Sequence, residues 1–137
     1  MLFTKTTEYA LRVLICIAKS DLQLLSANHL HEKLDIPYKY LTRIMTDLSK
    51  KNLLLSVKGR DGGFKLIRPS EQIMVSDIID AVEGMERFNS CILGFQECSS
   101  DHPCAMHSVW EQNKINLLHT FQTTSLFDMI QQEFQKK

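Results

Sequence analysis

Three of the four cysteines lie in one short stretch, at Cys91, Cys98 and Cys104, and a histidine follows at His107. Six residues separate the first pair, five the second, and two lie between Cys104 and His107. Thiolates with an imidazole can hold a tetrahedral zinc ion or an iron–sulfur cluster. Neighbouring thiols can also form a disulfide on oxidation, or remain inert. The wide gaps lack the tight Cys-x-x-Cys knuckles usual in zinc modules, which counts against zinc. His102 is a nearby competitor for the histidine role. The remaining cysteine, Cys16, falls inside an apolar segment and reads as a small buried hydrophobe.

The surrounding chain must position these residues. At 137 residues it is long enough for one domain, or for one domain with a helical extension. It carries 16 basic and 16 acidic residues, unevenly placed. Residues 1–69 hold 12 Lys or Arg against 6 Asp or Glu, a net of +6; residues 70–137 hold 4 against 10, a net of −6. A basic half suits a polyanionic partner such as double-stranded DNA. No apolar run is long enough to span a bilayer, and Glu8 interrupts any signal-peptide core. A cytoplasmic location with no membrane partner is therefore expected. Reduced cytosolic thiols argue against a disulfide framework and for metal or redox chemistry.

Apolar periodicity predicts a helix over residues 3–19, through Tyr9, Val13 and Ile17. Ser26 is the expected N-cap of a short helix through Leu30 and Leu34. After the turn at Asp35 and Ile36, Pro37 is expected at the first position of a helix whose apolar stripe is Leu41, Ile44, Met45 and Leu48. The opposite face presents Tyr38, Lys39, Tyr40, Thr42, Arg43 and Lys50. Two short helices joined in this way form a helix-turn-helix, and a helix so divided suits the major groove. Two strands are expected next, at residues 53–57 and 64–67. Between them, Asp61-Gly62-Gly63 is expected to supply the positive-φ positions of a tight turn. This hairpin makes the unit a winged helix, with Lys58 and Arg60 reaching phosphates or the minor groove.

A helix is expected over Val75–Val82, closed by Gly84. Residues 85–101 lack periodicity and read as a loop. A long helix should start at Cys104, with Pro103 in its first turn. Cys104 and His107 would then share one helix face near a dipole that favours thiolate. Met106, Trp110, Asn113, Leu117 and Phe121 form a heptad-like seam suited to a homodimer. Ser125 and Asp128 resemble a capping box opening a last helix through Phe134, and the tail 135–137 is expected to fray. The fold class is thus mainly α with a small β-hairpin: a winged helix-turn-helix domain at 1–84, a cysteine-containing loop at 85–103, and a long dimerisation helix with a C-terminal helix at 104–137. There is no paired acid and base and no nucleophile elbow, so neither an enzyme nor a small-molecule substrate is expected.

Several motifs together resemble one family. They are Thr6-Thr7-Glu8-Tyr9-Ala10-Leu11-Arg12, Ile36-Pro37-Tyr38-Lys39-Tyr40-Leu41, Gly59-Arg60-Asp61-Gly62-Gly63-Phe64-Lys65-Leu66 and Ile78-Ile79-Asp80-Ala81-Val82-Glu83-Gly84. Three cysteines ahead of a Trp-containing helix complete the set. Across nearly its whole length the chain resembles the Rrf-two winged-helix regulators, which include IscR-like, NsrR-like, RirA-like and CymR-like proteins. The resemblance implies a homodimeric transcription regulator, usually a repressor. It implies that Cys91, Cys98 and Cys104 ligate a 2Fe-2S or 4Fe-4S cluster that responds to nitric oxide, redox, iron or cluster status. The fourth ligand is implied to be His107, as in IscR-like members, or Glu8 donated by the other subunit, as in some NsrR-like members. Glu8 also reads as a solvated first-turn acid. The six-residue first gap is slightly longer than the family's common five. The alternative is a zinc-binding or thiol–disulfide redox-switch regulator without a cluster.

Overall fold

A computed structural model describes residues 3–134. The first helix, α1 (Lys5–Lys19), starts where Thr4 Oγ1 accepts the Thr7 amide at 3.3 Å. Its buried stripe of Ala10, Val13, Leu14 and Ile17 follows the 3.6-residue period and faces the centre of the main core. Helix α2 (Ala27–Leu34) is capped by Ser26, whose Oγ accepts the His29 amide at 3.1 Å. It ends at Asp35, which takes a left-handed conformation with φ 55°. The His31 ring bonds the Ile36 carbonyl at 2.6 Å and pins the turn to α2.

Helix α3 (Tyr38–Lys50) buries Leu41, Ile44, Met45 and Leu48, the stripe expected from the sequence. Pro37 stands just before the helix as its flanking residue, not at its first helical position, and the Leu41 amide bonds the Pro37 carbonyl at 2.9 Å.

Strands β1 (Leu54–Val57) and β2 (Gly63–Leu66) pair antiparallel, with Leu54 opposite Leu66 and Val57 opposite Gly63. Leu25 bridges the outer side of β2 through bonds to Phe64 of 3.1 and 2.8 Å. The turn chemistry differs from the expectation. The positive φ falls on Gly59, at 111°, and not on Gly62 or Gly63. Those two serve close approach instead. A Cβ on Gly62 would stand 2.0 Å from the Val57 carbonyl oxygen, and one on Gly63 would stand 2.7 Å from that of Leu25.

Helix α4 (Val75–Val82) has the predicted bounds. Gly84 follows it at φ 78°, its amide bonded to the Ile79 carbonyl at 3.0 Å. A 3-10 turn at Glu86–Phe88 interrupts the stretch read as loop and drives Phe88 into a second core with Val75, Ile79 and Phe121. Turns then run to Met106.

Helix α5 (His107–Thr123) begins three residues later than expected, so Cys104 and Pro103 precede it rather than forming its first turn. Its predicted seam is partly spent inside the domain. Leu117 and Phe121 join the second core, Trp110 is half-buried, and Met106 and Asn113 are exposed, as are Val109 and Ile115 outside the seam. Helix α6 (Leu126–Phe134) opens with the predicted capping box, the Ser125 amide on Asp128 Oδ2 and the Asp128 amide on Ser125 Oγ, each at 3.0 Å. Leu126 is fully buried in the main core, and the Leu126 amide bonds the Ile73 carbonyl at 2.7 Å. The C-terminal helices therefore pack on the winged helix itself. Residues 135–137, expected to fray, lie outside the described residues.

Candidate metal centre and nucleic-acid face

The segment from 89 to 106 is shaped by local bonds rather than by helix or strand. Ser90 Oγ donates to the Arg87 carbonyl at 2.8 Å, and Trp110 Nε1 donates to the Ser90 carbonyl at 2.9 Å. The residue before Cys91 is thereby tied to α5. Gly94, at φ 85°, turns the chain back, with its amide on the Cys91 carbonyl at 3.0 Å. Ser99 and His102 close a second turn between Cys98 and Cys104, through bonds of 3.3 and 3.2 Å. The Cys104 carbonyl accepts the His107 amide at 3.1 Å.

These turns bring together residues that are far apart in any regular periodicity. The Sγ atoms of Cys91, Cys98 and Cys104 all lie within 4.8 Å of one another. Cys91 Sγ is 3.6 Å from Cys104 Sγ, and Cys98 Sγ is 3.4 Å from His107 Nδ1. His107 therefore touches the sulfur set at its Cys98 corner, from the first residue of α5. Only the three sulfurs all lie within 4.8 Å of one another: His107 reaches Cys98 alone, His102 and Glu8 are also outside the set, and Glu8 sits on α1, 3.8 Å from Lys5 Nζ.

The thiols are electrostatically unequal. Desolvation pushes the Cys91 thiol up, but the amides of Phe95 and Leu93 and the neighbouring thiols overcome it and bring its pKa to about 7. For Cys98, a backbone bond at Cys104 favours thiolate. Desolvation and the thiols of Cys104 and Cys91 outweigh it and raise the pKa. Three converging sulfurs, partly shielded from solvent and with an imidazole nitrogen beside one of them, suit an iron–sulfur cluster or zinc by donor type.

The residues proposed from sequence for the DNA face divide into two groups. Lys39 and Arg43 on α3, and Lys58 and Arg60 on the hairpin turn, point into solvent. The others have partners within the fold. The Tyr38 ring, 48% exposed, meets the His31 ring edge-on at 5.6 Å. The Tyr40 ring packs edge-on against Tyr9 at 5.4 Å, and its hydroxyl bonds Thr6 Oγ1. Thr42 Oγ1 donates to the Lys39 carbonyl at 3.0 Å.

One junction was missed by sequence reasoning. Glu83, with its side chain only 8% exposed, accepts hydrogen bonds from Thr4, the N-cap of α1, from Thr7 in its first turn, and from Arg87 at 2.7 Å. Desolvation alone would raise its pKa; the bonds from Thr4, Thr7 and Arg87 and the Arg87 charge lower it below the ordinary value. Thr7 and Glu83 both occur in the motifs quoted above. Nothing in their spacing indicates that they meet.

A helix-turn-helix, an exposed basic hairpin and a cysteine-bearing loop ahead of a long helix define a winged-helix fold with a cysteine cluster beside it. The sequence pattern of the Rrf2 (Rrf-two) family, described as "Iron-dependent Transcriptional regulator", matches residues 3–132. The chain belongs to this family and is a transcriptional regulator. It is 33% identical over 132 residues to a protein of Aquifex aeolicus assigned as an HTH-type transcriptional regulator, covering 95% of this chain and 92% of that one. It is 29% identical over 131 residues to the HTH-type transcriptional regulator NsrR of Oceanobacillus iheyensis, covering 94% and 89%. The structure of CymR, the global cysteine regulator of B. subtilis, superposes with a TM-score of 0.78 at 21% identity, covering 96% and 97%. Among the described residues, no helix is long and apolar enough to cross a membrane.

Proposed function

We propose that the chain is a homodimeric, cytoplasmic DNA-binding repressor whose operator affinity is set by an iron–sulfur cluster on Cys91, Cys98, Cys104 and His107. The observation that carries this is the convergence of three sulfurs within 4.8 Å, with an imidazole nitrogen 3.4 Å from one of them. When bound there, such a cluster supplies a redox-active centre that responds to nitric oxide, redox state, iron or cluster supply. Glu8 of a second subunit is the alternative fourth ligand. The proposed division of labour is DNA reading by 1–84, sensing by 85–103 and dimerisation by 104–137.

The chain's own residues supply the rest. Lys39 and Arg43 enter the major groove beside the exposed edge of Tyr38, while Lys58 and Arg60 hold phosphates or the minor groove. Tyr40 and Thr42 belong to the same groove-facing side, and Tyr40 also ties α3 to α1 through Tyr9 and Thr6. Signal leaves the cysteine loop through Arg87, which follows α4 and grips Glu83. Glu83 holds Thr4 and Thr7, and α1 holds Tyr40 through Thr6. Movement of the residues before Cys91 is thus coupled to the pitch of α3 by short polar contacts.

A second reading is favoured by the 3.6 Å approach of Cys91 Sγ to Cys104 Sγ. In a metal-free thiol switch, the two thiols lose two protons and two electrons to an oxidant and join as a disulfide. Zinc on the same donors is the third. Anaerobic purification with iron, sulfide and zinc analysis and absorption spectra separates them. The cluster reading expects near-stoichiometric iron and sulfide, lost in Cys91→Ser, Cys98→Ser and Cys104→Ser. His107→Ala against Glu8→Ala then identifies the fourth ligand. A colourless protein with one zinc, or no metal and a Cys91–Cys104 disulfide, removes the cluster.

A further inference from the structure

A cavity of about 620 Å³ opens between α1, α2 and α6, away from both the cysteine loop and the hairpin. Its volume is that of a small-molecule site rather than of a packing defect. The walls are apolar and half-buried: Ile15 and Cys16 from α1, Leu34 from α2, and Met129 from α6. The polar groups around it are three cations, of which Lys19 is already engaged, one acid, and the neutral side chains of Ser20, Thr124 and Gln132. Arg12, Lys19 and Lys33 line it from α1 and α2, all three exposed to solvent. Among the described lining residues the one acid is Asp128, whose Oδ2 is held by the Ser125 amide as part of the α6 cap. An apolar chamber with a cationic mouth is complementary to a molecule with an apolar body and an anionic head.

We propose that this cavity binds a small amphipathic carboxylate, with its hydrocarbon portion between Ile15, Leu34 and Met129 and its head at Arg12 and Lys33. Charge sets the preference, because a neutral or cationic analogue of equal length buries the same carbon but lacks the match at the mouth. The location also matters. Lys33 and Leu34 end α2 immediately before the turn into α3, so an occupant bridging α1, α2 and α6 braces the helix-turn-helix through the end of α2. This input is separate from the cysteine loop and does not depend on any metal there.

Octanoate, octanol and octylammonium test it on the full-length protein, with Cys16 as an internal reporter. Site-resolved mass spectrometry follows alkylation of Cys16, and thermal melting gives a second readout. Octanoate is expected to slow Cys16 alkylation about tenfold at saturation and to raise the melting temperature, with octanol weaker and octylammonium without effect. Lys33→Glu, at an exposed position, should weaken octanoate about three- to tenfold and leave octanol unchanged. Ile15→Trp should fill the chamber and abolish protection by all three. Equal protection by octanoate and octylammonium, or none by any probe in the folded wild-type chain, overturns the proposal.

Discussion

At single residues, what decides the fold is often which atom stands opposite rather than which conformation a residue prefers. Gly59 supplies the left-handed position of the hairpin turn, with open space where a Cβ would be. Alanine there should cost about 1 kcal/mol, from backbone strain alone. Gly62 is different, since a Cβ would drive into the Val57 carbonyl, and alanine should cost about 1–3 kcal/mol. Urea denaturation of the two variants checks the order, and a larger loss at Gly59 would mean that handedness, not crowding, governs the turn. The location of the turn was readable from Asp61-Gly62-Gly63. The duty of each glycine was not, because Gly63 is crowded by Leu25, a distant part of the chain. Glu83 makes the same point with charge. Its folded pKa lies below its ordinary value of 4.5, so its contribution is present at neutral pH and is lost as pH falls through the depressed folded value. Glu83→Gln should therefore destabilise the protein by about 1–3 kcal/mol near pH 7, and the gap from wild type should narrow on acidification. A gap independent of pH would show that the carboxylate charge is not what holds Thr4, Thr7 and Arg87.

At the scale of elements, the helices with a buried stripe were legible and the segment without one was not. α3, α4 and α6 were foreseen because apolar spacing and caps are local signals. The start of α5 was misplaced because Pro103 is as acceptable before a helix as inside its first turn, and the closure through Ser99 and His102 has no periodic signature. The same limit hid how the sulfurs meet: the ligand types could be named, but the turns that gather them follow from contacts with Ser90, Arg87 and Trp110. The exposed and buried residues of α5 now predict two different phenotypes. Phe121→Ala removes a ring packed on Phe88 and Phe3 and should cost about 3–5 kcal/mol. Ile115 is 57% exposed, and Ile115→Glu should change subunit stability by no more than about 0.5 kcal/mol. If the helix pairs with a second copy as proposed, the same Ile115→Glu change should weaken self-association in sedimentation equilibrium. An unchanged association constant would move the dimer contact elsewhere, with exposed Ile92, Leu93 and Phe95 of the cysteine loop the next surface to test.

Across the whole molecule, a basic N-terminal half meets an acidic C-terminal half through several polar contacts, of which the Glu83 junction is the most buried among the described ion pairs, and both the charge and the junction can be tested. Neutralising one phosphate-contacting cation should lower the salt slope of operator binding by about one. Arg60→Ala should therefore weaken binding and flatten the slope in fluorescence anisotropy titrations, and an unaltered slope would remove the hairpin from the interface. The junction makes the stronger demand. Thr7 is fully buried and donates to Glu83, which also holds Arg87 ahead of Cys91. Thr7→Val keeps the volume and deletes the bond. It should leave metal content and the spectrum of the purified protein unchanged, because no ligand is touched. It should, however, compress the ratio of operator affinities between metal-loaded and metal-free protein. A coupling loss of about 0.5–2 kcal/mol corresponds to a two- to thirtyfold compression. If the ratio survives while Thr7→Val folds and loads normally, the path from the cysteine loop to α3 does not run through α1. The direct packing of α4 on α3, with Lys51 Nζ 3.8 Å from Asp80 Oδ2, would then be the next physical connection to test.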